Sequence, residues 1–478
     1  MPVDWTRGGP ELLLGLDRSA GMPLARQLQE QLRDAIRSGR LARGERLPAS
    51  RALAAQLGVS RGVVVDTYAQ LESEGYLHSA QGSGTVVASS GGDVARPETR
   101  RPIGPRFEID FEYGVPDLRS FPMRDWLWAM GVAGRTATAA DLGDEHGTGA
   151  TQLREVLAAY LRRVRGAVAD PDGVFVCAGF RYGLNLVLRA LLTEGVTTVA
   201  LEDPGPVDHD EIARRSGMRV VPVPVDDNGI DVVALVRTSA RVVVVTPAHQ
   251  APTGVVLAPE RRQALVEWAN AVDGFVIEDD YDAEFRYDRQ PVGAVQGLAP
   301  DRVIAMGSTS KTLSPTLRMG WLVCPPRLRD AVGVEKQLLG RGAPGLDQLA
   351  LAALIESGRY DRHLRQMRAL YKRRREALVD ALERYAPDVT VTGLAAGCHA
   401  VLRLPEGVSE EAAVTGCAAR SVAVYGMSRY HSDRGTEPAE LAELVLGFGN
   451  VRESAITEAM RRVAPALLGR AESAGLVR

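Results

Sequence analysis

The chain has 478 residues, 45% of them apolar, and a formal net charge of −3. That length exceeds one ordinary core and predicts two units, one small and one large; the near-neutral balance excludes a generally basic nucleic-acid coat and confines any DNA contact to one face. Cys177, Cys324, Cys398 and Cys417 are too scattered for a zinc site or a disulfide framework, so buried free thiols and no metal centre are expected.

No basic segment leads into an apolar one at Met-Pro-Val-Asp-Trp, and no apolar run approaches a membrane span, which predicts a cytoplasmic protein without a membrane partner. Leu24, Leu28, Leu32 and Ile36 recur every four residues and predict a helix over 23–38 with one buried stripe. In "RLPASRALAAQLGVSRGVVVDTYAQLESEGYL", Ser50 is expected to cap a short helix that Gly58 ends. Ser60 then caps the next, which turns Val64, Tyr68 and Leu71 inward. Two such helices joined by "LGVS" form a helix-turn-helix, and "GYLHSAQGSGTVVA", turning at Gly82-Ser83-Gly84, adds a small wing. The second helix of this arrangement enters a major groove, with Arg61 and its neighbours facing bases or phosphates. A plain three-helix packing module with surface arginines is the alternative; the wing favours double-stranded DNA as the partner.

Residues 44–86 resemble the winged-helix domain of the GntR regulators almost throughout. The resemblance implies DNA-contact roles for Arg46, Ser50, Arg51, Ser60, Arg61 and the wing glycine Gly82, with Ala80 standing where a basic residue is common. Residues 1–88 are thus expected to be the DNA-binding domain. A linker rich in Gly, Pro, Ser and Arg follows over 89–106, and a large effector domain over 107–478.

In the large unit, "VFVCAGFR", "VALEDPG", "RVVVVTPAHQAPTG", "FVIEDDYD" and "VIAMGSTSK" are short Val/Ile-rich runs separated by helical stretches. They predict a mainly parallel sheet buried on both faces. Each run ends in a polar or Gly-rich loop, and ligands of open α/β sheets bind outside the carboxyl ends of the strands. Asp279, Asp280, His249, Ser308, Lys311 and the Gly179 turn should therefore gather at one edge.

Lys311 is one of three lysines, with Lys336 and Lys372, in a chain that carries 54 arginines. A primary amine forms a Schiff base with an aldehyde, and a guanidinium does not. Pyridoxal phosphate is the usual aldehyde cofactor; it needs a lysine, a carboxylate for its ring nitrogen and an anion cradle. Asp279 suits the ring nitrogen and Tyr281 the ring hydroxyl. Ser308 and Arg318 flank Lys311 for the phosphate, joined by backbone amides of Gly179 and Phe180, with Arg181 as an extra cation. Singly, each has an ordinary reading: a solvated lysine, a helix-capping or metal-binding "EDD", a commonplace Gly turn. Their joint order favours the cofactor.

Residues 107 to about 463 resemble a fold-type I aminotransferase domain, and "TPAHQAPTG", "EDDYDAEFRY" and "STSKTLSPTLRMGW" resemble its MocR/GabR regulator branch. The resemblance implies Lys311 as the cofactor lysine, Asp279 as pyridinium partner, Tyr281 as ring-hydroxyl contact, Ser308 and Arg318 as phosphate contacts, and a head-to-tail homodimer. Departures cluster on the substrate side. Ala251 stands where aminotransferases have Asn, leaving His249 or Gln250 for any ring contact, and Pro206 replaces a common aromatic. Val445 replaces the arginine that grips an amino acid's carboxylate, with Arg429 a possible substitute. These departures point to a transcriptional regulator with no catalytic residues that senses pyridoxal phosphate, similar to regulators of vitamin B6 synthesis. An active aminotransferase with an accessory DNA-binding domain, a regulator answering an amino-acid or other small-molecule effector, and a large unit that only dimerises are the alternatives.

Overall fold

The structure is a computed structural model and describes residues 12, 14–80, 84–88, 107–143, 147–286, 293–340, 342–393, 396–432 and 442–470. The chain divides into two compact units, Met1–Gly104 and Pro105–Arg478. The expected linker, 89–106, and Gly82 lie outside the described residues.

In the small unit, α1 (Leu24–Arg37) buries Leu28, Leu32 and Ile36 completely, the expected stripe, with each end one residue shorter than expected. Next, α2 (Ser50–Leu57) stops at Gly58, whose φ of 64° is a left-handed cap that glycine adopts without a Cβ penalty. Ser50 is not its cap. The extended backbone that a cap requires falls on Ala49, and Ser50 is already helical; its hydroxyl instead accepts from Arg61 Nε at 3.3 Å.

The second helix of the pair, α3 (Arg61–Ser73), begins as expected from Ser60, whose hydroxyl accepts from the Val63 amide, and it buries Val64, Tyr68 and Leu71. The wing is an antiparallel pair, β1 (Leu77–Ala80) and β2 (Gly84–Val87), with Leu77 opposite Val87. Leu53, Val64 and Val87 meet the α1 stripe in one core, and Tyr68 donates its hydroxyl to the Pro48 carbonyl at 2.9 Å, pinning the segment before α2.

The large unit opens with β3 (Ile109–Asp110), α4 (Met123–Thr136) and α5 (Thr151–Arg165). Eight strands follow in one sheet: β4 (Val174–Cys177), β5 (Thr198–Asp203), β6 (Arg219–Asp226), β7 (Gly229–Ile230), β8 (Val242–Val245), β9 (Phe275–Asp279), β10 (Val303–Ser308) and β11 (Gly320–Val323). Their order is β4-β11-β10-β9-β8-β5-β6-β7. The run from β10 to β6 is parallel, as the sequence predicts for β10, β9, β8 and β5, with β6 an addition to the predicted strands, whereas β11 is antiparallel to both neighbours and β7 is antiparallel to β6.

Alternation along each strand sends side chains to two cores. Val242, Val244, Ile277 and Met306 pack against α6 (Phe180–Thr193) on one face. Val243, Val245, Val276 and Val303 pack against α8 (Val232–Val236) and α9 (Pro259–Ala271) on the other. Between β5 and β6 lies α7 (Val207–Arg215). Then come α10 (Arg329–Leu338), α11 (Gly345–Glu356) and α12 (Arg359–Tyr385).

A second sheet of order β12-β13-β16-β15 closes the unit, built from β12 (Thr390–Thr392), β13 (His399–Arg403), β15 (Tyr425–Gly426) and β16 (Glu443–Gly447). Helices α13 (Glu410–Ala418) and α14 (Glu453–Leu467) accompany it, and β14 (Val422–Ala423) pairs with β3. Among the described residues, no helix is long and apolar enough to cross a membrane.

Candidate functional site

The sheet register assembles the expected edge. Asp279 at the end of β9 pairs with Met306 of β10, and Ser308 two residues later pairs with Gly320 of β11, which also pairs with Cys177 of β4. Gly320 has to be glycine here: a Cβ on it would lie 2.9 Å from the Cα of Gly179. The close approach brings the start of α6 against the end of β10. Lys311 follows directly, and its ammonium donates to the carbonyl of Gly114.

Asp279 is buried, and its Oδ1 has no hydrogen-bond partner. Burial first, then the neighbouring Asp280 and Asp282, push its carboxyl well above the ordinary range, with Lys311 opposing. The Asp280 carboxylate is taken by Arg165, whose Nη2 lies 2.9 Å from Oδ1, leaving Asp279 the one presented at the strand end. His209 of α7 places Nε2 3.7 Å from Asp279 Oδ2. Burial pushes that imidazole down to about 3, so it is neutral and brings no positive charge to Asp279. Phe180 packs on His209 with ring centroids 5.1 Å apart. Neither His209 nor its contact with Asp279 was read from the sequence; the only signal was its place shortly after the "EDPG" turn.

Tyr281 and His249 also meet. The tyrosine hydroxyl is 3.3 Å from His249 Nδ1, which lies 2.8 Å from Asp282 Oδ2. His399 packs at a tilt against His249 with ring centroids 4.6 Å apart, donates Nε2–H toward the Pro252 carbonyl at 3.1 Å, and holds a buried Nδ1 without a partner. Of the two candidates for a ring contact, Gln250 is committed elsewhere: its Nε2 donates to the Pro204 carbonyl at 2.9 Å and its Oε1 accepts from Thr253. His249 remains. Tyr113 edges onto both Tyr281 and His399.

On the opposite side, Gly179 starts α6 with a φ of 88°, so the first amides of a 14-residue helix stand unpaired within the helix beside Ser308. Ser308 is buried and its hydroxyl accepts from the Ser310 amide at 3.4 Å. Arg318 holds a left-handed φ of 51°, unusual for a residue with a Cβ, and its guanidinium has no partner among the described residues. Arg181 is exposed and paired with Asp208. Arg429 is likewise engaged, by Glu112 at 3.0 Å and over the Tyr425 ring at 4.7 Å, and Val445 is buried in β16.

In the small unit, Arg51 and Arg61 are exposed at the first turns of α2 and α3, where helix N-termini offer unpaired amides to a phosphate. The Ser50–Arg61 bond ties those two turns together, and Arg46 bridges to Val86 of the wing. Of the residues implied by the resemblance, Ser50 and Arg61 thus meet and Arg46 pairs with the wing, with Gly82 outside the described residues.

Residues 24–87 match the family of bacterial regulatory proteins called gntR, and residues 113–433 match aminotransferase class I and II. The HTH-type pyridoxine biosynthesis transcriptional regulator PdxR of Corynebacterium glutamicum is 33% identical over 462 residues, covering 96% of this chain and 99% of that protein. The probable rhizopine catabolism regulatory protein MocR of Rhizobium meliloti is 33% identical over 488 residues, covering 97% and 98%. The chain belongs to the MocR-type branch of the GntR regulators.

The large unit of this MocR-type regulator is also similar to solved enzymes. The multiple substrate aminotransferase of Thermococcus profundus gives a TM-score of 0.68 at 25% identity, covering 75% of this chain and 91% of the enzyme. The kynurenine aminotransferase of Pyrococcus horikoshii gives the same TM-score and identity, covering 79% and 98%. A DNA-binding winged helix and a fold-type I aminotransferase-like unit therefore make up this MocR-type transcriptional regulator.

Proposed function

We propose that this cytoplasmic regulator binds pyridoxal phosphate in its large unit and reports the cofactor's level to the DNA-binding unit, controlling vitamin B6 synthesis. The observation that carries the reading is the buried Asp279 Oδ1 without a donor, at the same sheet edge as Lys311. An orphaned buried carboxylate oxygen is costly, and a protonated pyridine nitrogen is the donor it lacks. The residues fit the group. When bound, the cofactor supplies an aldehyde and an electron-withdrawing ring.

Lys311, now donating to the Gly114 carbonyl, would be the amine that holds the aldehyde. Asp279 accepts from the ring nitrogen, and neutral His209 orients it without competing for the charge. Tyr281, steered by His249 and Asp282, meets the ring hydroxyl. The Gly179 and Phe180 amides, Ser308 and Arg318 take the phosphate; Arg181 joins them only by leaving Asp208. The relative PdxR, named for pyridoxine biosynthesis, supports the sensing role.

The engagement of Arg429 by Glu112 and the apolar Val445 favour a sensor over an active aminotransferase, because an α-carboxylate needs a charged clamp. Exposed Met123 and Leu127 on α4, with Leu338 on α10, support a homodimer, head-to-tail by the resemblance. Binding shifts DNA affinity by favouring one dimer arrangement, which requires different affinities for the two.

The test titrates cofactor-free full-length chain with pyridoxal phosphate, following the near-visible absorbance of the lysine-bound cofactor and binding to DNA upstream of its own gene. The expected result is parallel saturation of absorbance and of a change in DNA affinity or footprint. Absorbance that saturates with unchanged DNA binding removes the sensing role. Conversion of the bound cofactor by any amino-acid donor restores the enzyme.

A further inference from the structure

Three consecutive valines of α3 have three different surroundings. Val64 is fully buried and Val63 partly, both against the core of the small unit, whereas Val65 is 43% exposed. Among the described residues of the small unit, Val65 and Met22 are the exposed large apolar side chains. A β-branched residue at an exposed helix position lowers helix propensity relative to alanine and gains no packing in the free chain. Its use there calls for contact with something else.

The neighbours along the helix indicate what that is. Val65 stands four residues after Arg61, and residues so spaced lie on one face of a helix. Arg61, Gly62, Val65 and Ala69 are all exposed, and Gly62 and Ala69 carry no more than a methyl group, so Val65 supplies most of the apolar surface among them. This helix is the second of a gntR-family helix-turn-helix, the one that enters the major groove. The base edges in that groove present hydrogen-bond donors and acceptors together with one apolar group, the thymine C5 methyl. A valine side chain has no polar atom for the former and a surface suited to the latter.

We propose that Val65 reads a thymine by van der Waals contact with its C5 methyl, making it a specificity-determining residue of the DNA-binding unit. The thymine lies within about two base pairs of the contact made by Arg61, since four helical residues rise about 6 Å and base pairs stack about 3.4 Å apart. The assignment stands apart from the cofactor reading.

The test selects binding duplexes for the full-length chain from a randomised pool, then replaces each thymine of the strongest one with uracil, which lacks only the methyl. Affinities come from fluorescence anisotropy, with pyridoxal phosphate absent and then present, so that the comparison does not depend on what the cofactor does. One thymine per half-site is expected at which uracil weakens the parent about fourfold, the worth of one buried methyl group. Val65→Ala should lose about as much on the thymine duplex and no longer distinguish uracil from thymine at that position. Because Val65 faces solvent in the free chain, the variant should keep the parent's circular dichroism and melting temperature. Val65→Thr, which retains one methyl, should keep part of the discrimination. The proposal is overturned if no thymine-to-uracil change matters, or if Val65→Ala keeps the parent's discrimination. In the latter case, a loss of affinity that is equal on both duplexes would assign Val65 to a contact between proteins.

Discussion

Across 197 residues of sequence, Gly114 offers its carbonyl to the ammonium of Lys311. Gly114 has a φ of 76°, and a Cβ added there would lie 2.6 Å from Lys311 Nζ. Gly114→Ala should therefore strain the backbone and push the Lys311 ammonium off a carbonyl that it must leave on binding the cofactor, so the melting temperature should fall while apparent cofactor affinity holds or rises. Lys311→Arg keeps the charge but forms no Schiff base, so its near-visible absorbance should vanish. The measurement is the same absorbance titration on both variants, with circular dichroism to confirm folding. Undiminished absorbance in Lys311→Arg would mean that another amine holds the cofactor.

Asp279→Asn separates stability from binding. Burial and two neighbouring acids raise the Asp279 carboxyl in the folded, cofactor-free chain above its unfolded value. Its favourable contribution is then complete below the unfolded pKa of about 3.9 and is lost as pH rises through the folded one. The isosteric amide escapes that loss. Cofactor-free Asp279→Asn should melt higher than its parent, by a margin that widens as pH rises above about 4, while binding the cofactor about tenfold more weakly or worse. Differential scanning calorimetry at several pH values checks the first part. A margin that does not change with pH would show that Asp279 is compensated by a group within the chain.

The parallel run of the large sheet was legible because Val/Ile runs buried on both faces leave a strong pattern, and all five predicted strands form. Antiparallel β11 was not: "GWLV" is a four-residue run whose direction is set by pairing with β4 and β10, a long-range property. Chemistry read from residue type fared similarly. The scarcity of lysine singled out Lys311 only in part, because Lys336, unlike the half-buried Lys311, is fully buried and donates to the Gly147 carbonyl at 2.6 Å. Position after β10 distinguishes the two. His209 stayed hidden because its contact with Asp279 joins separate strand-end loops, and Ser50 misled because its residue type suits a cap whose backbone falls on Ala49.

The DNA-reading face gives a paired prediction. Ser60→Ala removes the hydroxyl that accepts from the Val63 amide and should destabilise the small unit by about 1 kcal/mol, lowering DNA affinity only through folding. Arg61→Ala removes an exposed charge and its 3.3 Å bond to Ser50 at the same helix end, and loss of one solvent-exposed hydrogen bond should cost no more than about 1 kcal/mol. Its effect should appear in the logarithmic salt dependence of binding, reduced by about one unit if Arg61 contacts a phosphate. Relaxed preference at one operator base, with an unchanged salt slope, would instead assign it to a base edge. Fluorescence anisotropy over a range of salt concentrations resolves the two, and an Arg61→Ala protein that binds like its parent removes this residue from the interface.

A last prediction concerns α4. Leu127 is 61% exposed and Met123, one turn earlier on the same face, 57%, whereas Trp128 is partly covered by the Arg359 guanidinium 4.2 Å from its ring. Exposed apolar side chains stacked along one helix face are expected to be covered by a partner. Leu127→Glu removes little of the chain's own packing, so folding and monomer stability should hold, but a charge buried between two copies is strongly unfavourable. Sedimentation velocity should show the variant shifting from dimer to monomer at concentrations where the parent remains paired. Loss of the second DNA-binding unit should then weaken binding to a two-site operator by roughly a hundredfold while leaving a single half-site unaffected, because the gain comes from effective concentration rather than new contacts. A Leu127→Glu protein that stays dimeric would place the interface on another face of the large unit.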